Sequence, residues 1–90
     1  MLFVVAYDIG SDKRRNLLAS LLENYGHRAQ FSIFECDLDA PRLETLLAEL
    51  RHFNADDEQI RVYAVCQGCV RQSLVINGPD FAVNQGFFLI

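Results

Sequence analysis

An aspartate, Asp8, closes the apolar run that begins at Leu2, and three cations, Lys13, Arg14 and Arg15, follow shortly after it. A carboxylate at the exit of a buried strand must meet a cation or a metal, because an unpaired buried charge is very costly. The cations fall in the first turn of an expected helix, where the macrodipole is positive and each one costs about 0.3–1 kcal/mol. Two arrangements relieve that cost. Either Asp8 and Asp12 pair with the arginines, whose stems cover the edge of the core, or the arginines and the helix N–H groups face a phosphate. The local pattern supports both equally.

The remaining reactive residues carry weaker signals. Cys66 and Cys69 form a lone C-x-x-C. A zinc site needs two further ligands, and Cys36, His27 and His52 stand at unsuitable spacings. A redox pair usually opens a helix, whereas Val70 onward does not read as one, so the expectation is a strand end running into a turn. His27 and His52 are expected at helix ends on the surface, and Glu35 and Asp37 share one face of a strand. Phosphate-binding glycine loops and nucleophile elbows are absent from the sequence.

These residues need elements to hold them. Leu2 to Ile9 is short, β-branched, aromatic and apolar on both faces, which is the pattern of a central covered strand. Ser11 or Asp12 caps a helix that runs to about Tyr25 and stops at Gly26, with Leu17, Leu18, Leu21, Leu22 and Tyr25 as its stripe. Arg14 and Arg15 extend that stripe toward the strand end that carries Asp8. Arg28 to Leu38 alternates as a strand that Ser32 bends or divides into a hairpin. Pro41 opens a second helix capped near Asp39, with Leu43, Leu46, Leu47, Leu50 and Phe53 inward. Asn54 to Glu58 is a polar turn. Ile60 to Cys66 is a strand with Ile60, Val62, Ala64 and Cys66 on one face and Arg61, Tyr63 and Val65 on the other. Beyond it, Ser73 to Ile76 reads as a short strand, Asn77-Gly78-Pro79 as a turn and Gly86 to Ile90 as a last apolar strand.

This order predicts one α/β (α+β) domain over residues 1–90, a ferredoxin-like split strand-helix-strand sandwich. Its antiparallel sheet carries two helices on one face and an extra C-terminal strand. The core spans about 1–66 and a C-terminal extension about 67–90. Phe3, Val5 and Tyr7 alternate with Leu2, Val4 and Ala6, so both sheet faces are apolar. The expectation is a homodimer joined through the open face, assigned to Phe3, Val5 and Tyr7, with the tail helping to seal it.

Bulk composition sets the class. At 90 residues, 51% of them hydrophobic and 22% charged, the chain is a small globular domain. Its net charge of -4 argues against indiscriminate nucleic-acid binding while leaving room for a local basic patch. The three cysteines fit a reduced, cytoplasmic protein, and the apolar run from Leu2 is too short to span a membrane.

Three blocks together carry a resemblance to a known family. They are Val4-Val-Ala-Tyr-Asp-Ile9, Asp12-Lys-Arg-Arg-Asn-Leu-Leu18 and Gly26-His-Arg-Ala-Gln-Phe-Ser-Ile-Phe-Glu-Cys36. Over roughly Met1 to Cys66 the chain closely resembles the small dimeric CRISPR-associated nuclease family, the subunit that joins the CRISPR integrase in spacer acquisition during antiviral defence. The resemblance implies a metal-binding, catalytic acid at Asp8 and an aromatic at Tyr7. It implies active-site basic residues at Arg15 and Arg28 with Arg14 as a neighbour, and a Q-x-S-x-F segment at Gln30, Ser32 and Phe34.

It further implies ferredoxin-fold homodimers in which two acids approach across a shared cleft and hold magnesium or manganese. The activity implied is endonuclease cleavage of single-stranded RNA or double-stranded DNA. One metal suits that chemistry, since magnesium needs few carboxylates and keeps its waters, while Arg15 or Arg28 stabilises charge developing on phosphorus. Arg14, Arg15 and Arg28 are the expected nucleic-acid contacts. A non-catalytic scaffold bridging the integrase on DNA is the alternative, and a small-ligand regulatory module of the same fold is a third. Asp37 places an acid where many members are neutral or basic, which favours local phosphate contacts over a broad duplex surface.

Overall fold

A computed structural model describes residues 1–78. The chain runs β1 (Leu2–Asp8), α1 (Asp12–Leu22), β2 (His27–Gln30), β3 (Ile33–Asp37), α2 (Ala40–Phe53), β4 (Gln59–Val65) and α3 (Gln67–Gln72). The sheet order is β2-β3-β1-β4 and every pairing is antiparallel. This is the ferredoxin-like topology. β1 is central, with Val5 opposite Phe34 on one side and Val62 on the other, as its two-sided apolar composition requires.

Local chemistry sets the boundaries. Ser11 caps α1, its Oγ accepting the Arg14 N–H at 3.3 Å, and Asp39 caps α2 by accepting the Arg42 N–H at 3.0 Å. α1 ends at Leu22, short of the expected Tyr25, because the chain turns there and the Gly26 N–H bonds back to Leu22 O. Gly26 is required at this point. A Cβ would collide with Glu35 O and lie 2.8 Å from the Cys36 Cα, so the chain could not enter the hairpin alongside β3. The Arg28 to Leu38 segment is a hairpin, not one bent strand, turning at Phe31 and Ser32 with a register shift between Arg28 and Gln30.

The core joins one sheet face to the two long helices. Phe3, Val5, Tyr7, Phe34 and Cys36 meet Leu18, Leu22, Leu46 and Leu50. Full burial of each large side chain stabilises by about 1.5–3 kcal/mol. This corrects the expected dimer face. Phe3, Val5 and Tyr7 lie beneath the helices, and the opposite face carries Val4, Ala6, Ile33, Glu35, Arg61 and Tyr63, paired across β3, β1 and β4. Leu17, assigned to the buried stripe of α1, is exposed, and Ala19 is buried beside Leu18.

Two expectations for the end of the chain are also corrected. Cys66 to Cys69 opens a short helix, α3, with Cys66 as its N-cap and Val70 buried. Ser73 to Ile76 forms no strand, and Leu74 and Ile76 are exposed. Gly78 has φ 133°, a conformation that suits glycine. The expected final strand at Gly86 to Ile90 and Pro79 of the expected turn lie outside the described residues.

Candidate functional site

Asp8 ends β1 opposite Gln59 of β4. Strand alternation puts it with Val4 and Ala6, on the face away from the two long helices, and it is exposed. Among the described residues its carboxylate has no hydrogen-bond or ion-pair partner, so the pairing with Arg14 or Arg15 that the sequence allowed does not form. Ala6, Tyr7, Asp8, Gln59 and Arg61 line a shallow depression of about 160 Å³. Arg61 stands opposite Ala6, one alternate position from Asp8, and its Nη1 donates to Tyr63 Oη at 3.3 Å.

Arg15 holds the loop that follows Asp8. Its Nη1 donates to Ile9 O at 2.7 Å and Gly10 O at 3.2 Å, and Nη2 pairs with Asp12. The guanidinium also lies 5.5 Å from the centre of the Phe31 ring. Among the described residues its Nε–H and one Nη2 hydrogen have no acceptor, which leaves them for a further one such as a phosphate oxygen. Phe31 itself is 71% exposed at the hairpin tip. Tyr7 fixes that tip to β1, its N–H donating to Ser32 O at 3.1 Å and its hydroxyl to Phe31 O at 3.4 Å.

Other expected site residues are placed differently. Phe34 is fully buried and Tyr7 nearly so, with ring centres 6.5 Å apart. Phe34 is enclosed in the core, and Tyr7 borders the depression beside Asp8 while its ring packs inward. Arg28 is exposed on the edge strand β2 with its guanidinium 5.5 Å from the Phe34 ring centre. It stands opposite Phe34, on the helix side of the sheet, and so on the other face from Asp8.

Arg14, an expected nucleic-acid contact, is engaged within the fold. Its Nε and Nη2 clamp the Glu58 carboxylate, the latter at 2.9 Å to Oε1, and its guanidinium stacks 4.2 Å from the centre of the Phe53 ring. Glu58 is buried and also accepts the Ala55 N–H at 3.0 Å. The hydrogen bond from Arg14 holds the Glu58 carboxyl below its ordinary pKa, assisted by the Ala55 N–H and the Arg14 charge and opposed by burial.

Phe31, Glu58 and Arg61 were not singled out from the sequence. Phe31 is hidden until the hairpin is resolved. Arg61 becomes visible once the register sets it beside Asp8. Glu58 sits in a run of acids, and composition does not say which of them turns inward.

Among the described residues no three His, Cys, Asp or Glu side chains gather. Asp8 nevertheless fits a magnesium half-site, being an exposed, unpartnered carboxylate at a strand end, and magnesium is commonly held by one or two carboxylates with retained waters.

Residues 1–73 match the family described as CRISPR associated protein Cas2, a match that runs past the Cys66 limit expected from the sequence. A CRISPR-associated endoribonuclease Cas2 of Chloroflexus aurantiacus is 38% identical over 93 residues, covering 100% of both chains. Another, from Synechocystis, is 43% identical over 90 residues, covering 99% of this chain and 98% of that one. Among solved structures, a chain of a partial Cas6-RT-Cas1–Cas2 complex has a TM-score of 0.73 at 32% identity, covering 86% of this chain and 91% of its own. With the β2-β3-β1-β4 sheet and the three sequence blocks, these matches establish that the chain belongs to the CRISPR associated protein Cas2 family.

Proposed function

We propose that the chain is a divalent-metal-dependent endonuclease of CRISPR spacer acquisition, working as a homodimer that also docks on the CRISPR integrase. The observation that carries this is the exposed, unpartnered Asp8 carboxylate at the end of the central strand. The names of the relatives, endoribonucleases of the same family, support the reaction class. Dimerisation through the open face would bring one Asp8 from each copy toward a shared cleft, which explains how one acid per chain suffices. Val4, Ala6, Ile33 and the half-exposed Tyr63 supply apolar surface on that face.

Bound magnesium or manganese would activate water and neutralise phosphodiester charge. The protein's own contributions follow from the contacts above. Asp8 holds the ion. Arg15 fixes the loop after Asp8 and offers its remaining N–H groups to a phosphate, while Arg28, exposed on the far edge strand β2 and on the other face, offers a positive contact to a more distant phosphate of the same strand. Phe31 presents an aromatic face on which an unpaired base can stack. A scaffold reading, without hydrolysis, is favoured by the likeness to a chain of a partial Cas6-RT-Cas1–Cas2 complex.

Cleavage of single-stranded RNA and double-stranded DNA across magnesium and manganese titrations, with Asp8→Ala beside the wild type, tests the proposal. Metal-dependent cleavage lost by at least about a hundredfold in Asp8→Ala supports it. Equal cleavage by both proteins overturns it. Absence of cleavage in the wild type with integrase binding retained establishes the scaffold reading.

A further inference from the structure

The C-x-x-C segment lies at the end of β4 opposite to Asp8, since Val65 pairs with Leu2 while Gln59 pairs with Asp8. Its two sulfurs are 3.2 Å apart and both cysteines are exposed. That separation leaves only a short approach to the disulfide bond length of about 2.05 Å. We propose that Cys66 and Cys69 form a reversible dithiol–disulfide site that exchanges with low-molecular-weight disulfides.

The surroundings assign the two roles. Cys66 Sγ accepts the Cys69 backbone N–H at 3.4 Å as well as sharing the contact with Cys69 Sγ, so it is the sulfur on which negative charge is the better stabilised. The hydrogen bond from the Cys69 side chain, followed by the Cys69 backbone N–H, lowers the Cys66 pKa. The same bond, with the neighbouring Cys66 charge, raises that of Cys69, whose thiol holds its proton the more firmly of the two. Cys36 provides contrast within the same chain. It is fully buried, and burial pushes its thiol up to about 11.

With oxidised glutathione as the disulfide, the Cys66 thiolate attacks one sulfur and releases one glutathione thiolate, leaving a mixed disulfide. Cys69 then passes its proton to the released thiolate and attacks Cys66 Sγ. The Cys66–glutathione bond breaks, and the second glutathione thiolate departs and takes a proton from water. The protein loses two electrons, and one oxidised glutathione becomes two reduced molecules. Because the closed loop is so short, the chain-entropy contribution to the disulfide is small, so a reducing thiol pool reverses it readily. The bond would fix the turn from β4 into α3 and replace the thiol or thiolate sulfur that caps α3 with a neutral disulfide sulfur.

Intact-mass and peptide mapping of the full chain in glutathione redox buffers tests this. The expected product is loss of two hydrogens localised to Cys66 and Cys69, reversed by reduced glutathione, with Cys36 unmodified. In Cys69→Ser the mixed disulfide on Cys66 should accumulate, because nothing resolves it. In the folded chain at neutral pH, Cys66 should alkylate on the order of a hundredfold faster than Cys36. Glutathione adducts persisting on both cysteines of the wild type would overturn the proposal. So would a Cys66 no more reactive than Cys36, or a Cys69→Ser protein that forms no adduct while circular dichroism shows it folded. Nuclease activity is not read in this experiment, so its result stands apart from the role of Asp8.

Discussion

The Arg14 guanidinium holds the Glu58 carboxylate through two of its nitrogens while stacking on Phe53, tying the first turn of α1 to the end of α2 and the start of β4. The cation that the sequence leaves ill-placed at a helix start is thereby used as a clamp. Removing one partner of a bonded pair at a buried position leaves the other uncompensated.

Glu58→Gln should therefore lower Tm by several degrees at neutral pH, as measured by circular dichroism. Its pH dependence has a definite sign. The folded-state pKa of Glu58 lies below the ordinary 4.5, so in the window below that value the unfolded chain binds the proton more readily. The clamp's contribution is complete above it and is lost as pH falls through the folded pKa. Wild-type Tm should fall more steeply than that of Glu58→Gln between about pH 5 and about pH 3. Parallel curves would show that the clamp does not contribute to stability.

Nucleic-acid contacts should divide by residue. Arg28→Ala removes an exposed cation and should lower the magnitude of the salt slope of binding by about 1 without altering Tm. Arg15→Ala should do the same and also reduce stability, since Arg15 braces the Ile9 and Gly10 carbonyls. Phe31→Ala should weaken single-stranded RNA by about 1–3 kcal/mol and leave duplex DNA nearly unchanged, because a paired base offers no free face. Arg14→Ala should alter Tm and leave the salt slope unaffected. Fluorescence anisotropy over a salt series checks all four, and an unchanged slope in both Arg15→Ala and Arg28→Ala would remove the proposed phosphate contacts.

The open face should be the dimer interface. Val4→Glu adds a charge at the middle of β1 on that face, next to Tyr63 and Glu35 in register. Light scattering at micromolar concentration should give twice the chain mass for the wild type and the monomer mass for the variant. Phe3→Glu should instead prevent folding, since Phe3 lies in the core. A wild-type monomer would end the dimer proposal.

Much of this architecture is legible from residue order alone. Apolar composition on both faces marks β1 as central, and Ser11 and Asp39 announce the two helix starts through their capping oxygens. What period cannot supply is which face meets the helices. Phe3, Val5 and Tyr7 are no more apolar as a set than Leu2, Val4 and Ala6, and only the pairing with Phe34 and Cys36 decides between them. Asp8 was legible because a carboxylate ends an apolar strand. The partner of Arg14 was not, because Glu58 is distant in sequence and lies among equivalent acids. α3 was missed because six residues offer too little periodicity to read, and its Cys66 cap is chemically unlike the usual hydroxyl or carboxylate.

Asp8→Asn separates a metal-holding carboxylate from a structural one. Asparagine keeps the shape and removes the charge. Had Asp8 paired with Arg14 or Arg15, the change would leave an arginine without its partner and lower stability. Arg14 is occupied by Glu58 and Arg15 by Asp12, Ile9 and Gly10, so no cation is released. In metal-free buffer, Asp8→Asn should match the wild type in Tm or exceed it, because two like charges across a dimer axis repel when no ion lies between them. Added magnesium should raise the wild-type Tm as ligand binding to the folded state requires, and leave Asp8→Asn unmoved. Calorimetric titration of magnesium into the two proteins gives an independent reading, with heat of binding present only in the wild type. A Tm loss in metal-free buffer would show Asp8 to be structural, and an equal magnesium response in both proteins would place the ion elsewhere.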